Sequence, residues 1–222
     1  MFKIKNQTLN KMIEEISSSV TPEFFKEKLK EALTYKEYKD LVLTLAENKD
    51  TTGADKSQSR IDNTKLSATR MSRIDKTAGL LPETLKAYKD IKNEYIWLVL
   101  TESWCGDSAQ NIPIINKIAK LSGNIELRFL FRDENPELMD CCLTKGTRSI
   151  PKLISVNKET YTPVGLWGPR PAPAQSMMFE YKERKHKEYD EVQKDIALWY
   201  TQDKGATLQN EFIALINDWE NS

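Results

Sequence analysis

The chain has 222 residues, with 33 Lys and Arg against 33 Asp and Glu, three cysteines and a single histidine. The length allows one large domain, or one of ordinary size with additions, and the balanced charge speaks against a general nucleic-acid binder or a polybasic membrane-surface protein. No apolar run approaches the roughly 20 residues needed to span a bilayer, and a lone histidine, His186 in ERKHKEYD, leaves no His dyad or multi-His metal site and reads as a solvated helix residue.

The N-terminal MFKIKNQTLNKMIEE has neither a signal-peptide apolar region nor a small-residue cleavage site, so a cytoplasmic protein is expected. Residues 1–90 are polar and read as helical. Thr21-Pro22-Glu23 is a helix start, with Thr21 as cap and Pro22 in the first turn. From there to Leu45 the apolar residues Phe25, Leu29, Leu33, Tyr38, Leu41, Val42 and Leu45 keep helical spacing. ENKDTTGADKSQS is a loop by composition. Ile61 to Lys76 reads as helix, and Leu81-Pro82-Glu83 opens another.

The period then changes. Tyr95 to Thr101 is a near-continuous apolar run, as in a strand buried on both faces. Residues 105–121 read as a helix ended by Ser122-Gly123-Asn124. Ile125 to Arg132 alternates as a strand. Pro136 to Leu143 is a short helix, and Lys152 to Val156 and Thr162 to Trp167 are strands. The order strand, helix, strand, helix, strand, strand implies an α/β fold with a mixed sheet flanked by helices. After the stiff GPRPAP break, Ala174 to Tyr200 reads as one long charged helix, and Thr207 to Trp219 as a last amphipathic one.

Three cysteines in a cytosolic chain do not make a disulfide framework, so each is core or chemistry. Cys105 falls where the first buried strand ends and a helix begins. A thiol there faces unpaired backbone N–H groups and the positive end of the helix dipole, and both favour the thiolate near neutral pH. Gly106 permits close approach, and Ser108 stands one turn on, where its hydroxyl can donate to the sulfur. Glu102, Asp107 and Asp133 read as solvated or capping carboxylates. Cys141 and Cys142 point roughly 100° apart on a helix, so one is expected in the core and the other partly exposed. The cysteines lack the paired spacing of a zinc site, so neither a metal nor a cofactor is expected.

These residues resemble the thioredoxin family. Trp104-Cys105-Gly106 follows a buried strand, Pro113 lies eight residues after Cys105 where the family carries a helix-kinking proline, Ile150-Pro151 precedes a strand, and Gly168 falls close to the family's glycine beside the substrate groove. The resemblance covers about residues 95–200 and implies a thioredoxin-like domain over 91–200, between a helical extension at 1–90 and a C-terminal helix at 201–222. It further implies a cis peptide before Pro151, with the Ile150 backbone pairing an extended substrate. Trp104, Gly106, Asp107, Ile150, Pro151 and Gly168 would then line the substrate site, with Cys105 and Ser108 doing the chemistry; Trp167 either lines the groove or packs.

The sequence departs from the family at two points. Ser108 stands where thioredoxins carry their second cysteine, and Val99 where they carry a buried carboxylate. A disulfide within the motif is therefore impossible. A mixed disulfide at Cys105 would be resolved by an external low-molecular-weight thiol or by Cys141 or Cys142. Asp107 opposes the thiolate, while a carboxylate in the first turn favours the helix, and the sequence leaves the balance open. The expected function is monothiol thiol–disulfide exchange with protein or low-molecular-weight disulfides. A redox-inactive binding module on the same fold is the alternative.

Overall fold

The computed structural model describes residues 13–184 and 187–221; His186 and the first twelve residues lie outside the described residues. Residues 13–19 are helical. Four helices follow: α1 (Pro22–Glu31), α2 (Tyr35–Glu47), α3 (Gln58–Thr77) and α4 (Pro82–Lys89). Then come β1 (Tyr95–Thr101), α5 (Gly106–Ala119), β2 (Ile125–Phe131), a short 3-10 turn (Arg132–Glu134), α6 (Pro136–Asp140), β3 (Lys152–Asn157) and β4 (Pro163–Trp167). Three helices close the chain: α7 (Ala172–Arg184), α8 (Tyr189–Asp203) and α9 (Ala206–Trp219). The fold is α/β, as the element order implies.

The sheet runs β2-β1-β3-β4. β1 pairs parallel with β2, from Tyr95↔Ile125 to Thr101↔Phe131, and antiparallel with β3, from Tyr95↔Asn157 to Leu100↔Lys152. All seven residues of β1 are buried. Its side chains alternate between two cores. Trp97 and Val99 face a layer built from α2, α3, α4, α5 and α9, while Ile96, Leu98 and Leu100 face Ile16, Val20, Phe25, Leu138 and Met139.

Residues 13–90 therefore form no body of their own. Residues 13–20 and α1 cover one face of the sheet; α2, α3 and α4 cover the other. The chain changes face at Leu33, which exchanges two backbone hydrogen bonds of 2.9 Å with Phe129 on the outer edge of β2. This crossing breaks the helical run that periodicity carries on to Leu45. Thr34 restarts it with a capping box: its Oγ1 accepts from the Glu37 amide at 3.3 Å, and its own amide donates to Glu37 Oε2 at 2.8 Å. The expected single helix over Ala174–Tyr200 is also two, α7 and α8. They pack on each other through Ala174, Met178, Val192, Ile196 and Tyr200, and a capping box at Glu188 starts the second.

The C-terminal helix is part of the main core. Phe212 is fully buried, with its ring 5.2 Å from Trp97 and 5.4 Å from Trp167, and its carbonyl accepts from the Tyr88 hydroxyl at 2.8 Å. The Trp219 indole presses on β4 where the chain has Gly165; a Cβ there would fall 1.9 Å from Trp219 Nε1. Phe212→Ala is expected to cost about 3–5 kcal/mol of stability, read from chemical denaturation followed by tryptophan fluorescence. A loss below ~1 kcal/mol would make α9 an appendage.

Candidate active site

Cys105 is the N-cap of α5, in an extended conformation (φ −80°, ψ 111°) that turns its side chain back over the helix start. The Ser108 amide donates to its sulfur at 3.4 Å. The thiol itself donates to the Ile150 carbonyl at 3.4 Å. The Ile150–Pro151 peptide is cis. The nucleophile position, the helix terminus and the proline loop thus meet around one sulfur, although they lie far apart in sequence. Ser108 is fully buried, and its hydroxyl accepts from Thr101 Oγ1 at 2.8 Å.

The electrostatics differ from the sequence expectation. Burial pushes the Cys105 thiol up to about 11, and the Asp107 carboxylate adds to the rise. The two Ser108 hydrogen bonds and the Arg170 guanidinium pull the other way and do not compensate. Cys105 is only 6% exposed, so desolvation of the anion outweighs the helix terminus. Cys105 in this closed site is a protonated thiol, not the ready thiolate that its position at a helix start suggests.

Asp107 is not solvated. Arg170 Nη2 lies 2.5 Å from its Oδ2, and the Tyr200 hydroxyl donates to Oδ1 at 3.0 Å. Asn111 Nδ2 donates to both the Tyr200 oxygen (2.9 Å) and the Asp107 carbonyl (2.8 Å). Burial raises the Asp107 carboxyl against the pull of Arg170, Tyr200 and Arg70. Gly106 gives room to Arg70, whose Nη1 would stand 3.1 Å from a Cβ. Arg170, Arg70, Tyr200 and Asn111 had no signal in the sequence; each reaches the site from a separate element.

The proline side of the site is shaped by backbone. Gly168 has φ 112°, and a Cβ there would sit 2.2 Å from the Pro151 carbonyl oxygen, so only glycine fits. Lys152, 3% exposed, donates to Thr144 Oγ1 at 2.7 Å and to the Gly168 carbonyl at 3.3 Å, and burial lowers it to about 8. Trp104 is held between two guanidinium groups, Arg60 at 3.5 Å and Arg132 at 4.9 Å from its ring. Trp167 packs in the core, its indole nitrogen donating to Glu211 at 2.8 Å.

Glu102 and Asp133 do not join Asp107. Glu102 is fully buried; its carboxylate accepts from Thr52 and, at 2.9 Å, from the Asp133 amide. It ties the loop before α3 and the turn after β2 to the end of β1. The other thiols bond the preceding turn of their own segment: Cys142, fully buried, donates to the Leu138 carbonyl at 3.3 Å, and Cys141, half-buried, to the Glu137 carbonyl at 3.1 Å. All three cysteines are free. Burial raises both thiols, Cys142 to about 12. Among the described residues, no group of three or more His, Cys, Asp or Glu side chains is placed to hold a metal ion, and no helix is long and apolar enough to cross a membrane.

Asp107→Asn removes the negative charge that opposes the thiolate and leaves Arg170 unneutralised beside it. The midpoint of Cys105 alkylation against pH is therefore expected to fall below about 11. A midpoint that stays or rises would mean that the carboxylate does not act on the sulfur.

A family model described as thioredoxin matches residues 53–193, so the match takes in α3 and α4 as well as the sheet. Among solved structures, a protein of unknown function from Pseudomonas aeruginosa shares the fold, with a TM-score of 0.52 and 17% identity over 83% of this chain and 98% of that one. An HIV epitope scaffold follows, with a TM-score of 0.49, 17% identity and the same coverage of both chains. None of the curated proteins matches. With a sheet of order β2-β1-β3-β4, Cys105 capping α5 beneath the Ile150–Pro151 loop, and a family match over most of its length, the chain belongs to the thioredoxin family.

Proposed function

We propose that the protein performs thiol–disulfide exchange through a single sulfur, that of Cys105. One observation carries this reading: the Cys105 sulfur caps α5 and contacts the carbonyl of Ile150, beside the close approach of Pro151 and Gly168. In the reaction, the Cys105 sulfur attacks one sulfur of a disulfide. A new S–S bond joins Cys105 to that half of the substrate, the substrate's own S–S bond breaks, and the other half leaves as a thiol carrying the proton that Cys105 gave up. Ser108 supplies hydrogen bonds and no second sulfur. Cys141 and Cys142 face their own helix, so release falls to an external thiol, protein-borne or of low molecular weight.

A protonated resting thiol has consequences for the substrate. The scarce thiolate of a weakly acidic thiol is intrinsically strong as a nucleophile, and a disulfide whose departing thiol is acidic leaves fastest. Such disulfides are the preferred substrates on this reading. Ile150, Pro151, Gly168, Trp104, Gly106 and Asp107 border the sulfur and would contact them. A reducing compartment such as the cytoplasm is where three free thiols and an external reductant coexist.

The burial of Cys105 favours a second reading, in which the fold is kept as a binding module and the thiol is not used. The two separate on trapping. Under the exchange reading, wild-type protein accumulates stable mixed disulfides at Cys105 from disulfide-bearing partners, identified by mass spectrometry. Ser108→Cys should lose them, because the introduced thiol attacks the Cys105 sulfur and expels the partner. Partners that survive intact in Cys105→Ala, with no mixed disulfide in the wild type, would establish the binding module instead.

A further inference from the structure

Ser108 is not the end of the hydrogen-bond chain that starts at Cys105. Thr101 Oγ1 donates to Ser108 Oγ at 2.8 Å, and Tyr38 Oη lies 3.1 Å from Thr101 Oγ1. Counting hydrogens fixes the direction. A threonine hydroxyl has one hydrogen, and that of Thr101 is given to Ser108, so Tyr38 is the donor in the second contact. That one hydrogen is shared with the Glu102 carbonyl, which lies farther off at 3.4 Å. Ser108, already accepting from Thr101, keeps its own hydrogen, and the Cys105 sulfur, which the Ser108 amide meets at 3.4 Å, is the acceptor at hand. The hydrogens therefore run one way from Tyr38 through Thr101 to Ser108, whose own hydrogen is left for the sulfur. The three hydroxyls come from α2, β1 and α5, and none is more than 1% exposed.

We propose that Tyr38 and Thr101 are positioning residues for the Cys105 nucleophile: an aligned, buried chain of hydroxyl donors that commits the Ser108 hydroxyl to the sulfur and stabilises its anion. Two physical points support it. A serine inside a helix readily turns its hydroxyl back to a backbone carbonyl of the preceding turn; accepting from Thr101 fixes the Ser108 oxygen so that its hydrogen faces the sulfur. Aligned donors in a low-dielectric interior also polarise one another, so the last bond, onto a developing thiolate, gains from those behind it. The Tyr38 ring is held independently of its hydroxyl, stacked on Phe129 at 4.9 Å and 11°.

The inference rests on Cys105 being the nucleophile, but its test reads the ionisation of the sulfur alone. Other charged or titratable groups facing that sulfur are Asp107 on α5, Arg170 between β4 and α7, and Tyr189 on α8; Glu102 at the end of β1 faces Tyr38, and Arg70 on α3 acts through Asp107. None of them changes in the variants. In the full chain, alkylation of Cys105 by iodoacetamide is followed against pH by mass spectrometry of its peptide, beside thermal unfolding. Thr101→Val should raise the midpoint by about one pH unit, making alkylation at any pH below it roughly tenfold slower. Tyr38→Phe, which keeps the stacked ring, should raise it by less, and Thr101→Ser should restore the wild-type midpoint. If Tyr38→Phe and Thr101→Val leave the midpoint unmoved while Ser108→Ala shifts it, the chain ends at Ser108 and the proposal is wrong. A Thr101→Ser midpoint displaced as far as that of Thr101→Val would equally overturn it, since packing and not the hydroxyl would then be at work. Should Thr101→Val fail to fold, Tyr38→Phe and Thr101→Ser decide alone. Failure of the exchange reading looks different: the midpoints shift as expected, yet no mixed disulfide forms.

Discussion

β1 is hydrogen-bonded along both edges and buried over its whole length, and this leaves its C-terminal end almost no freedom. Strand parity then sets the chemistry. Thr101 shares the face of Trp97 and Val99, so its hydroxyl meets Tyr38 and Ser108 on the α2–α5 side. Four residues on, Cys105 falls in the opposite core, with Leu98, Leu100 and Ile150. The sulfur and the hydroxyl chain behind it therefore sit across the end of one rigid strand. Glu102 and Ser103 lock that exit further by bonding Thr52, Thr64 and the Asp133 amide.

The same burial imposes opposing demands on the first turn of α5. A helix terminus stabilises an anion by typically 0.3–1 kcal/mol, about 2 kcal/mol in favourable settings. Moving the Cys105 thiol from an ordinary 9.0 to about 11 disfavours its anion by roughly 3 kcal/mol. Desolvation wins, as those magnitudes require. Asp107 faces the same cost and meets it with Arg170 and Tyr200, charged and polar partners brought from beyond β4 and from α8. Two anions cannot both be compensated by one guanidinium. With Asp107 holding Arg170, the sulfur keeps its proton.

Local pattern made the sheet readable. The apolar run of β1, the Thr21-Pro22 start and the proline before β3 each carry their meaning within a few residues, and the mixed α/β order follows from them. The breaks were not readable, because Leu33 leaves helix to pair with Phe129, a partner almost a hundred residues away. The site divides the same way. Cys105, Ser108 and Pro151 announce themselves through a motif and a position before a strand. Tyr38 meets Thr101 across 63 positions and Tyr200 meets Asp107 across 93, so nothing local marks them. Arg170 looked like part of a stiff break; only the turn through Gly168 aims it at α5. The thiolate expected at Cys105 came from reading the helix terminus without the depth of burial, which is a tertiary quantity.

The surroundings of the sulfur have one wall made of backbone and one of side chains. On the first, the Pro151 carbonyl and Gly168 approach too closely to admit a Cβ, and the buried Lys152 ammonium braces the same Gly168 carbonyl from behind. On the second, Trp104 lies between Arg60 and Arg132, each of which also pairs with a carboxylate, Asp55 and Asp133. A backbone wall cannot yield without moving the sheet, whereas the Trp104 wall is made of side chains that meet guanidinium groups. For a sulfur that has no neighbouring sulfur to release its partner, the lifetime of a mixed disulfide is then governed by how readily an outside thiol reaches it. Under the exchange reading that access passes the side-chain wall of Trp104 and its two arginines, while Ser108 and the hydroxyls behind it bear on attack.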